Sequence, residues 1–202
     1  RWDPVLREVT RDREHFAQTK AFLWVESAGR QYAVSTTGCA GLMQFCVSTA
    51  ERRPFRTIFG VGQVSACDCG GRACSVPRAL REALETDSLA LERHPAQFPC
   101  SETDARFDGR KALTAGAAFT TELGEDVGGN LYLMYIGYNS GPAVAKRLWK
   151  AVGKNPDATL DDIRPHLSTV LARWYGDRAP GRAQGLLDVH LPKLRKAYEH
   201  YR

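Results

Sequence analysis

"FLWVESAGRQYAVSTTGCAGLMQF" occupies residues 22–45 of the chain. It begins as the apolar end of a helix and closes on a glycine-led return to apolar residues. Extended backwards, the spacing predicts a helix over 13–27, on which Glu26 shares a side with Phe16, Thr19, Phe22 and Leu23. A carboxyl on that stripe loses hydration, which raises its pKa and holds it protonated nearer neutral pH. Such an acid can protonate the leaving oxygen of a glycosidic bond. The same spacing also accommodates a glutamate at a frayed helix end, in water or paired with Arg30. The polar segment 29–39 alternates poorly and reads as a loop or a short hairpin near 31–37. From Gly41 to Arg52, Leu42, Phe45, Cys46 and Thr49 recur at helical spacing and predict a second helix.

Outward from this stretch the pattern stays helical. Pro4 after Asp3 suits a first turn, with Val5, Leu6 and Val9 on one face. "GRKALTAGAAFTTELGED" (109–126) aligns Leu113, Gly116, Thr120 and Leu123, whose small members let another helix approach closely. "NLYLMYIGYNSGP" (130–142) aligns Leu131, Met134, Tyr135 and Tyr138, and Gly141-Pro142 then ends one helix and starts the next. Thr159 is the expected N-cap of a helix carrying Leu160, Ile163, Leu167, Val170, Leu171 and Trp174. A last helical pattern runs through Leu187, Leu194, Tyr198 and Tyr201. The expected fold class is all-α, with at most a short hairpin. Between about 54 and 107 the pattern weakens, and one helix is expected over 76–92.

With 202 residues, 43% of them hydrophobic and 25% charged, the chain can bury one sizeable core. No apolar run approaches the roughly 18 residues of a membrane span. The chain starts at Arg1 without a recognisable signal peptide, as a processed or partial chain would. The net charge of +5 suits an anionic partner such as nucleic acid, a membrane surface or bacterial cell wall. Its lysines and arginines are dispersed, however, and the clustered patch of a nucleic-acid binder is missing.

Cys39, Cys46, Cys67, Cys69, Cys74 and Cys100 make an even set in a short chain, which favours disulfides and an oxidising compartment. Zinc is the competing reading, but C-x-C-x4-C departs from the paired spacing of structural zinc sites. A helix from Gly41 would hold Cys39 and Cys46 about 10 Å apart, too far to pair. Each is therefore expected to tie to the segment 67–100.

Four short motifs occur in one order. They are Glu26-Ser27; Ala33-Val34-Ser35, Gly38 and Gly41-Leu42-Met43-Gln44 with Thr49-Ala50; "DGRKALTAGA" at 108–117; and "GYNSGP" at 137–142. Together they resemble the soluble-type lytic transglycosylases of glycoside hydrolase family 23, whose catalytic domain is related to goose-type lysozyme. The resemblance spans about residues 15–150. Cys39 stands where that family has Ala, Ala112 where it has Asn, and the cysteine-rich connection is longer.

The resemblance implies a lysozyme-like helical domain over 1–150, with an insert at about 54–107; residues 151–202 lie outside it and are expected, from their own helical spacing, to form an extension packed on that domain. It makes Glu26 the acid and base. Ser35 and Gln44 are expected to contact substrate, Met43 to line the sugar cleft, Tyr138 to hydrogen-bond Glu26, and Asn139 to hold substrate or local backbone. The implied partner is the peptidoglycan glycan strand, cut between N-acetylmuramic acid and N-acetylglucosamine to leave 1,6-anhydro ends. The implied setting is periplasmic or secreted in a bacterium; a monomer is the favoured state, the oligomeric state being open, and a cell-wall or secretion machine is an open option as a further partner. No metal or organic cofactor is implied. No second carboxylate lies within the motifs, although Asp104, Asp108, Glu125 and Asp126 lie near them. A hydrolytic muramidase and a non-cutting wall-binding protein are the alternatives.

Overall fold

In the computed structural model, which describes residues 1–35, 37–64 and 104–202, the helical spacings have become helices. They are α1 (Asp3–Val9), α2 (Arg13–Ser27), α3 (Val47–Ala50), α4 (Phe55–Phe59), α5 (Gly109–Asp126), α6 (Leu131–Ser140), α7 (Pro142–Ala151), α8 (Leu160–Tyr175), α9 (Ala179–Gly185) and α10 (Leu191–Tyr201). A π-helical turn, Leu186–His190, joins α9 to α10. The fold is all-α. Among the described residues the extended backbone amounts to two isolated antiparallel bridges, Val34 with Ala40 and Ala40 with Phe45. Cys67, Cys69, Cys74, Cys100 and the helix expected over 76–92 lie outside the described residues.

Two sequence expectations are overturned in the segment after Gly41. It is not helical: only Val47–Ala50 forms a helix there. Gly41 (φ 80°) and Gln44 (φ 48°) both take left-handed backbone, which reverses the chain. Ala40 and Phe45 then exchange both backbone hydrogen bonds at 3.1 Å. With the reversal, Cys39 and Cys46 stand 4.0 Å apart between Cα atoms and form a disulfide with each other. The axial rise that argued against this pair belongs to a helix the chain does not make.

The chain divides into two units, with boundaries inside α2 and α5. The first comprises residues 1–9 and 26–116. Leu42, Met43, Phe45, Phe55, Phe59, Phe107 and Leu113 are buried in it. Phe45 meets Phe55 and Phe59 edge-on, at 5.3 and 5.2 Å between ring centroids. Its centre also holds a charged pair. Arg106 and Asp104 are 1% and 0% exposed and meet at 2.6 Å. The second Arg106 Nη group donates to the carbonyls of Gly38 (2.9 Å) and Phe45 (3.1 Å). The Arg106 carbonyl also lies where a Cβ at Gly41 would go, so that position tolerates only glycine without displacing backbone.

The second unit comprises residues 10–25 and 117–202. Within it α2 presents His15 and Thr19 to α5. His15 Nδ1 accepts from the Arg11 amide (3.2 Å), which leaves Nε2 as the protonated nitrogen. Nε2 donates to the Ala117 carbonyl at 3.0 Å and lies 2.9 Å from the Thr120 hydroxyl. Thr120 in turn donates to that carbonyl and meets Thr19 at 3.0 Å. Burial, the leading cause, lowers the His15 pKa. Further along, Gly137 of α6 lies where a Cβ would meet Leu123 Cδ2 at 2.7 Å and Ala145 Cβ at 2.9 Å. The missing side chain lets α5 and α7 close on α6. Thr159 caps α8 in a reciprocal box with Asp162.

Candidate active site

The candidate residues fall in two groups, one in each unit. In the first unit, Glu26 occupies the last turn of α2 and is half-buried. The apolar stripe had suggested a more enclosed carboxyl. The reason lies in the helix stop: Ala28 (φ 53°) and Gly29 (φ 79°) turn the chain away directly after Ser27. No further turn of helix follows to cover the side chain. Ser27, by contrast, is buried, and its hydroxyl accepts the Gly29 amide at 3.1 Å. Arg30 Nε donates to the Ser27 carbonyl at 3.1 Å, so this guanidinium caps the helix end.

The loop after Gly29 gathers Ser35 and Gln44. The Ser35 hydroxyl accepts the Cys39 amide (3.0 Å) and meets the Thr37 hydroxyl (3.0 Å). Both donors of the Gln44 amide group are drawn inward, to the carbonyls of Ala33 and Gly41, each at 2.9 Å. Its Oε1 is left as the polar atom with which Gln44 could meet a ligand. Met43 has no exposed surface, and its Sδ and Cε press on Gly116 of α5. It serves as core beneath the loop and not as exposed cleft lining, because the αL turn at Gly41 and Gln44 sends this side chain inward.

The second unit holds Tyr138 and Asn139, adjacent on α6. Tyr138 is half-buried, its ring edge-on to Phe22 (5.4 Å) and tilted against Phe119 (4.9 Å). The Asn139 side-chain oxygen accepts from Arg182 Nη2 at 2.6 Å, and its carbonyl accepts from the same nitrogen at 3.2 Å. Arg182 was not singled out by the sequence, because it lies in α9, outside every motif.

The other carboxylates differ in their commitments. Asp104 is closed inside the first unit, accepting from Arg106 Nε, Nη2 and the backbone amide. Asp108 accepts the Lys111 amide (3.0 Å) at the start of α5. Asp126 pairs with Lys146 at 2.8 Å and buries its other oxygen without a hydrogen-bond partner among the described residues. Among the described residues no group of three or more His, Cys, Asp or Glu is placed to hold a metal ion. Among them, too, no helix is long and apolar enough to cross a membrane.

Compared with known families, residues 10–64 match the model of the Transglycosylase SLT domain. The matched span includes Glu26, Ser35, Met43 and Gln44 and leaves Tyr138 and Asn139 outside it. No curated protein and no solved structure matches the chain.

Proposed function

We propose, on the premise that residues 10–64 carry a transglycosylase SLT domain, that this chain cleaves the β-1,4 bond between N-acetylmuramic acid and N-acetylglucosamine in peptidoglycan. A domain of this type implies a lysozyme-like, peptidoglycan-cleaving activity. The observation that carries the finer reading is the position of Glu26 within the match, half-buried at a helix end and followed by the Gly41 loop.

In the proposed reaction the Glu26 carboxyl gives its proton to the glycosidic oxygen as the bond from C1 breaks. The carbonyl oxygen of the muramic N-acetyl group bonds to C1 and holds the positive charge as an oxazolinium ion. The Glu26 carboxylate then takes the proton of the 6-hydroxyl, whose oxygen attacks C1 and reopens the oxazolinium to the acetamide. Glu26 ends protonated, and the product is a 1,6-anhydro sugar formed without water. Tyr138 would orient the Glu26 carboxyl through its hydroxyl, and Gln44 and Ser35 would shape the wall of the cleft. The proposed setting is outside the cytoplasm, in the periplasm or after secretion, and the Cys39–Cys46 disulfide, which persists in an oxidising compartment, supports it.

A hydrolytic muramidase would need a second carboxylate to position water. Full enclosure of Asp104 on Arg106 counts against it in that role. Of the carboxylates near the motifs, Asp108, Glu125 and Asp126 remain open to that role.

Glu26→Gln keeps shape and loses the transferable proton. Clearing of purified sacculi should fall to background in this variant while glycan binding persists. Products of the unaltered protein should carry muramic ends lighter by one water than reducing ends. Reducing ends would establish hydrolysis, and full clearing by the Gln variant would end the assignment.

A further inference from the structure

The C-terminal segment reaches α6 at two positions one helical turn apart. Tyr135 and Asn139 stand at i and i+4 on α6, and so share a face. The Tyr135 hydroxyl meets His190 Nδ1 at 3.2 Å, and their rings stack with 28° between planes. Asn139 is held by Arg182 through both its side-chain and its main-chain oxygen. The Arg182 guanidinium lies over the Tyr175 ring, 5.4 Å from its centroid. Its Nε is buried without a hydrogen-bond partner among the described residues. The arrangement leaves that donor unused while committing Nη2 to Asn139.

The chemistry of these groups fixes one orientation. An amide can flip about its last torsion and exchange oxygen for nitrogen at little steric cost. A guanidinium carries only donors, so only the Asn139 oxygen can face it. The Ser140 hydroxyl donates to the same oxygen at 3.4 Å. With Oδ1 occupied, the amide NH2 is what Asn139 has left to offer a ligand.

We infer that Arg182 is a positioning residue, which locks Asn139 with its NH2 toward the glycan and so makes this position select a hydrogen-bond acceptor. This rests on the peptidoglycan-cleaving reading above. The acceptor class is an uncharged sugar oxygen, the carbonyl of an N-acetyl group or a ring hydroxyl. The extension over 151–202 thereby serves the site, because its α9 sets the amide of the "GYNSGP" motif.

The test is a double-mutant cycle on soluble glycan strands, following kcat and KM beside the thermal melting temperature. Arg182→Met should lower kcat/KM about tenfold, the worth of one well-placed hydrogen bond. In an Asn139→Ala background the same change should cost less than about twofold. Arg182→Lys, which keeps a donor, should regain part of the loss. Melting curves should show every variant still folded at the assay temperature, so that the loss of kcat/KM reads positioning and not unfolding. Equal losses of kcat/KM in both backgrounds would reduce Arg182 to a stabilising contact and overturn the inference. So would full activity of Arg182→Met in a preparation whose unaltered chain cleaves glycan. Failure of the unaltered chain to cleave would instead sink the parent reading, and this role with it.

Discussion

Replacing Arg106 with Met tests what holds the Gly38–Phe45 loop in the first unit. The guanidinium makes three contacts to the Asp104 carboxylate and two to the loop carbonyls of Gly38 and Phe45. Both charges are essentially without solvent exposure. Methionine fills much of the volume but leaves Asp104 as a buried charge without its partner. Breaking one half of a buried pair typically costs about 3–5 kcal/mol. The Phe45 carbonyl keeps the Ala40 amide, so its loss is smaller than that of Gly38. For a chain of this size each kcal/mol moves the melting temperature by roughly 2–4 °C, which gives a fall of roughly 6–20 °C. Circular dichroism melts of the intact, non-reduced protein read it directly. Asp104→Leu added to Arg106→Met removes the stranded charge and should recover more than half the loss. A single variant that melts within about 2 °C of the unaltered protein would refute the pair as the loop's support. So would a double variant that is worse than Arg106→Met.

Two further outcomes are expected. The Cys39–Cys46 bridge closes a loop with a sequence separation of 7, so replacing both cysteines with Ala should cost about 2–3 kcal/mol by loop entropy, read from denaturant melts. Thiol labelling of the denatured, non-reduced protein should find Cys39 and Cys46 unreactive, and their labelling would contradict the pairing. The second outcome is a pH dependence. Burial lowers the pKa of both His15 and His190 from 6.5; the backbone contact to Ala117 and Asp12 oppose it at His15, whereas Arg182 and Lys193 reinforce it at His190. In the window below pH 6.5 the unfolded chain therefore binds protons that the folded chain refuses. Stability from these groups is fully present above pH 6.5 and is lost as pH falls below it, by at most about 1.4 kcal/mol per pH unit for each histidine. His15→Gln should flatten that part of the stability–pH curve, and an unchanged slope would count against His15 as its source.

The helices were legible because their apolar residues recur at helical spacing with their own stop signals. Arg13–Ser27, Gly109–Asp126 and Leu160–Tyr175 are where the periodicity predicts them. The segment after Gly41 misled for the same reason. Leu42, Phe45 and Cys46 are spaced as on a helix, yet they are buried or half-buried because a tight reversal turns them inward. Two left-handed residues outweighed the spacing, and one of them is Gln44, whose cost is met by its amide bonding to two carbonyls. A glutamine at φ 48° has no sequence signature. The carbonyl that excludes any side chain at Gly41 comes from Arg106, 65 positions away in the numbering.

The candidate site divides along a similar line. Glu26, Ser35 and Gln44 could be read because they sit in short motifs, where local order along the chain carries the information. Arg106 and Arg182 could not, since each acts on a loop or helix distant in sequence and neither has a neighbour that marks it. Both arginines act in the same way, presenting donors to backbone carbonyls or to a side-chain oxygen of a motif residue. A motif fixes which groups are available for chemistry; their orientation is decided by partners the motif does not contain. In Asn139 the consequence is specific. Without Arg182 its amide is free to present oxygen or nitrogen, and with Arg182 only the nitrogen, so the hydrogen-bonding character of this position is set from α9.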